Sequence, residues 1–125
     1  MISELSADVR IRGAAAHRAT ACLFHGLSDP SRLAIVRHLA LGEHRVVDLT
    51  AHLGLAQSTV SKHLACLKDC GLVSSRPQGR ASVFSLSHHE EVMEVLTAAE
   101  RLLHLTGDAV ASCPIVGLAA AGGDS

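Results

Sequence analysis

Only three residues, Gly54 to Ala56, separate two segments that each carry helical apolar spacing. "RVVDLTAHLGL" reads as a short helix stopped at Gly54, and "AQSTVSKHLACLKDCG" as a longer one stopped at Gly71, with Val60, Leu64 and Leu67 on one stripe. So short a turn between two helices is the signature of a helix-turn-helix. The flanks fit that unit. An alanine-rich helix is expected from about Asp8 to Leu27, and "SDPSR" supplies Ser28 or Asp29 as an N-cap with Pro30 in the first turn. The next helix places Leu33, Ile35, Val36 and Leu39 at core spacing and runs to Gly42. After the helix-turn-helix, "LVSSRP" and "ASVFSLS" read as strands joined by "PQGR", with Gly79 at the tip. A last helix is expected from about His88 to Leu105, with Val92, Val95, Leu96, Ala99, Leu102 and Leu103 on one face. The sum is a mainly α fold with a small β-hairpin: a winged helix-turn-helix over residues 1–107, followed by a tail at 108–125.

At 125 residues the chain is one domain. Phe24 and Phe84 are its only rings, so Leu, Val and Ala must fill the interior, and a dimer interface is expected to add burial. The net charge of −1 hides an uneven distribution. Arg45, Lys62, Lys68, Arg76 and Arg80 face only Asp48 and Asp69 between residues 45 and 80, whereas residues 88–108 carry four glutamates and Asp108 against Arg101. A basic middle and an acidic end suit two different partners or surfaces. No secretory signal or membrane span is visible, which makes the cytoplasm the expected compartment. Four cysteines there favour a metal or redox role over a disulfide frame.

The second helix of the unit begins with short polar side chains: Gln57, Ser58, Thr59, Ser61, Lys62 and His63. Such groups can donate to phosphates and base edges when a helix enters a major groove of double-stranded DNA. Arg76, Gln78 and Arg80 on the hairpin are placed to reach the adjacent backbone. The competing reading is a helical domain whose polar face is merely solvated.

"LSDPSRLAIVRHL", "DLTAHLGLAQSTVSKHLACL" and "GLVSSRPQGRASVFSL" together resemble the ArsR/SmtB family of metal-sensing repressors over about residues 20–105. The resemblance implies a homodimer built from the first and last helices. It also implies binding to a pseudo-palindromic operator and release when metal binds. Three family metal sites can be compared with this chain. A cysteine pair before the helix-turn-helix is absent, since Arg45 and Val47 stand there. A zinc or nickel site on the last helix would fall on His88, Glu90, Arg101 and His104, but a guanidinium cannot ligate, so Glu100 would have to replace Arg101. The third site belongs to the cadmium/lead-sensing branch, a C-x-x-x-C pair just before "GLV" plus a tail cysteine. It falls on Cys66, Cys70 and Cys113.

Independently of the family, four residues advance a helix by about 400°, so the thiols of Cys66 and Cys70 lie on one face about 6 Å apart. That face is a flank, roughly 90–130° from the apolar stripe, where a ligand is better placed than a small core residue. Packing against another element remains the alternative. A helix C-terminus disfavours a thiolate, so a bound metal is the natural agent to deprotonate the pair. Three thiolates would suit Cd(II) or Pb(II), with Zn(II) also possible. Residues at i and i+4 are poorly placed for an unstrained disulfide, which weakens a redox-switch reading. No oriented nucleophile, base and oxyanion-donor set is visible, so no enzyme and no catalytic residue is expected. Cys22 reads as a buried small residue at the dimer interface. His17, His25, His38, His44 and His52 read as solvated or structural.

Overall fold

The computed structural model describes residues 13–107 and 109. Helix α1 spans Gly13–Leu27 and α2 Pro30–Leu39; strand β1 is His44–Arg45; α3 is Val46–Leu53 and α4 Gln57–Asp69; β2 is Val73–Gln78 and β3 Ala81–Leu86; α5 is His89–Thr106. The helix-turn-helix is α3 and α4, and the hairpin is β2 and β3.

Local chemistry sets most boundaries. Asp29 is the N-cap of α2: its carboxylate accepts from the Arg32 N–H at 3.0 Å, and Pro30 follows where a missing N–H costs nothing. Helix α2 stops at Leu39 rather than at Gly42, because the next N–H groups, of Leu41 and Gly42, turn to the i−3 carbonyls of His38 and Leu39. Gly54 takes the left-handed conformation (φ 67°, ψ 25°) that ends α3 and lets the chain turn back at once. Gly79, at φ 63°, opens the two-residue hairpin loop between Gln78 and Ala81, which pair directly.

One further expectation changes here. The sheet has three strands in the order β1-β3-β2, because His44 and Arg45 pair antiparallel with Phe84 and Val83. A two-residue strand carries no alternation for the sequence to display. Helix α4 ends at Asp69 with Cys70 as its C-cap, and Gly71 stops it as expected by taking the left-handed conformation (φ 77°).

The core runs through the middle of the domain. Ile35 and Val36 of α2, Leu49 of α3, and Val60, Leu64 and Leu67 of α4 are all fully buried, and the last three form the stripe expected from spacing. Leu27, Leu72, Val73, Val92 and Leu96 close it. Phe84 packs against this cluster, but Phe24 does not and is 55% exposed. Helix α5 reaches the core only through its first half. Val92 and Leu96 are buried, while every residue from Thr97 to Thr106 is exposed. Among the described residues no helix is long and apolar enough to cross a membrane.

Candidate nucleic-acid interface and thiol site

Helix α4 begins from extended Ala56 with no side chain capping its first N–H groups. Gln57, Ser58, Ser61 and Lys62 are exposed on its first two turns and Thr59 is half-buried. Gln57 lines one groove with Arg45 at the start of α3 and Arg80 of the hairpin, so donors from three elements face the same space. Gln78 and Arg80 are exposed at the hairpin end.

Two residues assigned to this surface behave differently. His63 is buried at 9% exposure and so is not available on the polar face. Its Nδ1 lies 3.3 Å from Nη1 of Arg32, a group that can only donate, so Nδ1 accepts and a neutral ring carries its proton on Nε2. That Nε2 points towards the Asp29 carboxylate at 3.7 Å, too long for a hydrogen bond, and has no partner among the described residues. The spacing held the clue: positions 60, 63, 64 and 67 form one continuous helical stripe. Arg76 is exposed, but its guanidinium is taken: Nε and Nη2 donate to the Glu43 carboxylate at 3.0 and 2.7 Å. That forked pair holds the Glu43 carboxyl below its ordinary range.

Sequence spacing gave no warning of what Arg32 does. Its Nε donates to the Gly26 carbonyl at 2.6 Å and its Nη2 to the His25 carbonyl at 3.0 Å. It therefore closes the C-terminus of α1 while touching His63 on α4. Three helices meet on one side chain.

The thiols lie beside this junction. Cys66 and Cys70 are half-buried, and the Cys70 N–H donates to the Cys66 carbonyl at 3.1 Å. The Cys70 sulfur abuts Gly26, where an added Cβ would stand 2.7 Å from it. It also lies 3.9 Å from the Cys22 carbonyl oxygen. Burial pushes the Cys70 thiol up from its ordinary value, and the neighbouring Cys66 and Cys22 add to the rise. Cys22 is exposed within the single protomer. It lies one turn before Gly26 on α1, most of whose residues are exposed. Cys113 falls outside the described residues. On α5, His88 precedes the helix in a left-handed conformation (φ 52°), and Glu90, Arg101 and His104 are all exposed. Helix rise separates His88 from His104 by about 24 Å, so one protomer cannot bring them to one ion. Among the described residues no three His, Cys, Asp or Glu side chains already surround a point where an ion would fit. Cys66 and Cys70 fit two positions of a soft-metal shell and leave the remainder to other ligands.

Residues 29–75 match the model of the bacterial regulatory protein, arsR family. The regulator NmtR of Mycobacterium tuberculosis is 36% identical over 87 residues, which is 68% of this chain and 72% of that one. The chain belongs to the ArsR family. Another ArsR-type relative, the regulator CmtR of Mycobacterium tuberculosis, is 44% identical over 69 residues, 55% of this chain and 58% of that one. Relatives described as mercury and arsenical resistance operon repressors match over a similar stretch. The chain spans a little over half the length of most of these curated relatives. Among solved structures, the homodimeric winged helix-turn-helix DNA-binding domain Mb0332 of Mycobacterium bovis superposes with a TM-score of 0.64 at 29% identity, covering 74% of this chain and 90% of that one. Membership of the ArsR family accounts for the winged helix-turn-helix, and the relatives matched are described as transcriptional regulators and repressors.

Proposed function

We propose that the chain is a dimeric transcriptional repressor that binds operator DNA without metal and leaves it when a thiophilic ion binds Cys66 and Cys70. The observation that carries this reading is that one helix holds both functions. The first turns of α4 expose Gln57, Ser58, Ser61 and Lys62 around uncapped N–H groups, and its last turn brings two thiols together. Uncapped helix N-termini favour phosphate, and the side chains beside them are donors suited to base edges. The likeness to mercury and arsenical resistance operon repressors supports a soft effector.

Cd(II) or Pb(II) suits a shell of Cys66, Cys70 and Cys113, with Zn(II) as a weaker competitor for the same sulfurs. The metal's role is to stabilise thiolates that burial and the helix end disfavour. Drawing Cys70 into a shell moves it against Gly26, the residue whose carbonyl Arg32 holds, and Arg32 touches His63 in the middle of α4. The ion therefore works on the pose of α4. A preference for the DNA-incompetent pose of about 1–3 kcal/mol weakens binding roughly 5- to 150-fold. The apolar side chains left bare on α1 and α5, Phe24, Leu102, Leu103 and Leu105, support a dimer through those helices. Such a repressor works in the cytoplasm, beside the chromosome.

The test is one titration of the reduced chain with Cd(II), Pb(II), Zn(II) and Ni(II), following ultraviolet thiolate-to-metal absorption and fluorescence anisotropy of promoter DNA together. Sulfur-to-metal absorption that rises as anisotropy falls is the expected result. Apo-protein with no preference for its own promoter over random duplex would overturn the reading.

A further inference from the structure

Away from α4, three histidines from three elements meet. His38 lies on α2, His44 on β1 and His52 on α3. Their ring centroids are 5.2 Å apart for His38 and His52, 5.6 Å for His44 and His52, and 6.2 Å for His38 and His44. The elements that bring them together are fixed by the core beneath: Leu39 follows His38 and Leu49 sits one turn before His52, and both are buried.

We propose that His38, His44 and His52 form an imidazole site for a borderline divalent ion such as Zn(II), Co(II), Ni(II) or Cu(II), separate from the thiols. Two imidazoles on a tetrahedral ion, each with its nitrogen at about 2.0–2.1 Å, hold their ring centres about 5 Å apart, close to the separations here. The tautomer of His44 is already set. Its Nδ1 lies 2.8 Å from the Gly42 carbonyl oxygen, which can only accept, so Nδ1 carries the proton and Nε2 keeps its lone pair. A ligating histidine tied through its other nitrogen to a backbone carbonyl is the usual supporting arrangement. Softness separates the two sites in part: imidazole suits all four of these ions, while the thiolates favour softer ones and share only Zn(II) with the histidines.

The rings do not yet converge. His38 and His52 stack at 17°, side by side, and binding requires them to rotate about their side-chain torsions. His52 is exposed, so its rotation displaces only water. Of the nearby charges, Arg37 is paired with Glu100 at 2.8 Å and Arg45 with Asp48 at 3.3 Å, so neither cation stands unopposed beside the ion. The ion would tie α2 to the first helix of the helix-turn-helix and to β1, which pairs with the hairpin strand β3.

The test uses full-length Cys66→Ser/Cys70→Ser protein and Co(II), whose visible absorption reports its ligands. One Co(II) per protomer is expected, with d–d bands and no sulfur charge transfer, together with a rise in melting temperature that saturates at the same stoichiometry. His52→Gln and His44→Gln in that background should each weaken binding at least tenfold. His52 is exposed, so its variant folds and decides the matter even if the His44 variant does not. Failure of the parent to bind micromolar Co(II), or unchanged affinity in His52→Gln, would overturn the site. Neither outcome bears on the Cys66–Cys70 pair, which this background lacks; Cys22 and Cys113 remain, and sulfur charge transfer would reveal them as ligands.

Discussion

Cys70 is the residue on which most of the chemistry converges. Its thiol is held high by burial, so at neutral pH a metal must displace a proton to bind. Affinity for Cd(II) should therefore rise with pH below the thiol's own value, by up to tenfold per pH unit for each proton released. Competition titrations between pH 6 and 8 measure that slope; a flat profile would mean that the thiols are not the ligands. Cys66→Ser and Cys70→Ser should each abolish metal-driven release, because a hydroxyl is a poor ligand for a soft ion. Cys113→Ser should weaken binding yet leave a response at high metal. Cys22→Ser is the control and should leave both metal affinity and metal-driven release intact, since what Cys70 approaches is the Cys22 backbone carbonyl. The thiol pair was legible from spacing alone. The position of Cys22 was not, because alanine-rich α1 offers no stripe strong enough to say which face turns inward. His63 was misplaced for the opposite reason, a polar name on a stripe position. His63→Ala removes the acceptor from Arg32 and opens a hole beside α4. It should cost about 2–3 kcal/mol in denaturant unfolding.

Among the elements, α4 and the hairpin make separable demands. Lys62→Ala and Arg80→Ala should each weaken operator binding and lower the salt slope by about one, as loss of a phosphate contact does. Arg76→Ala should behave otherwise. Its charge already answers Glu43, so its removal should leave the salt slope nearly unchanged and instead loosen the sheet edge near β1. Anisotropy titrations at several salt concentrations distinguish the two patterns, and equal slopes for Arg76→Ala and Arg80→Ala would contradict the assignment. The sequence announced both helices of the unit, the three-residue turn and the hairpin, because each is written in local periodicity or a glycine. It could not announce β1, whose two residues become a strand only because β3 lies beside them. Nor could it show that Arg76 is spoken for, since Glu43 is 33 positions away.

For the molecule as a whole, the second half of α5 is the open account. Leu102 is 61% exposed and Leu105 82%, with nothing among the described residues to cover them. Leu102→Asp should shift the sedimentation equilibrium towards monomer and weaken operator binding in parallel. A variant that stays dimeric would place the interface elsewhere. His104→Ala should leave cadmium-driven release intact. A variant that binds cadmium but holds its DNA would move the sensor onto α5. The apolar face of this helix was readable from spacing, but whether it turned towards its own core or a second copy was not, because both uses leave the same pattern.

The contact between Gly26 and Cys70 reaches beyond this one chain. Sulfur occupies the space where any side chain at 26 would begin, 2.7 Å from an added Cβ. The two positions should therefore be inherited as a couple. Related chains with a thiol at the second should keep glycine at the first, and lineages that have abandoned the thiol should be free to drift to alanine. An alignment of such chains then becomes a census of sensors. Position 26, which binds nothing, would tell which members still carry a working thiol at position 70.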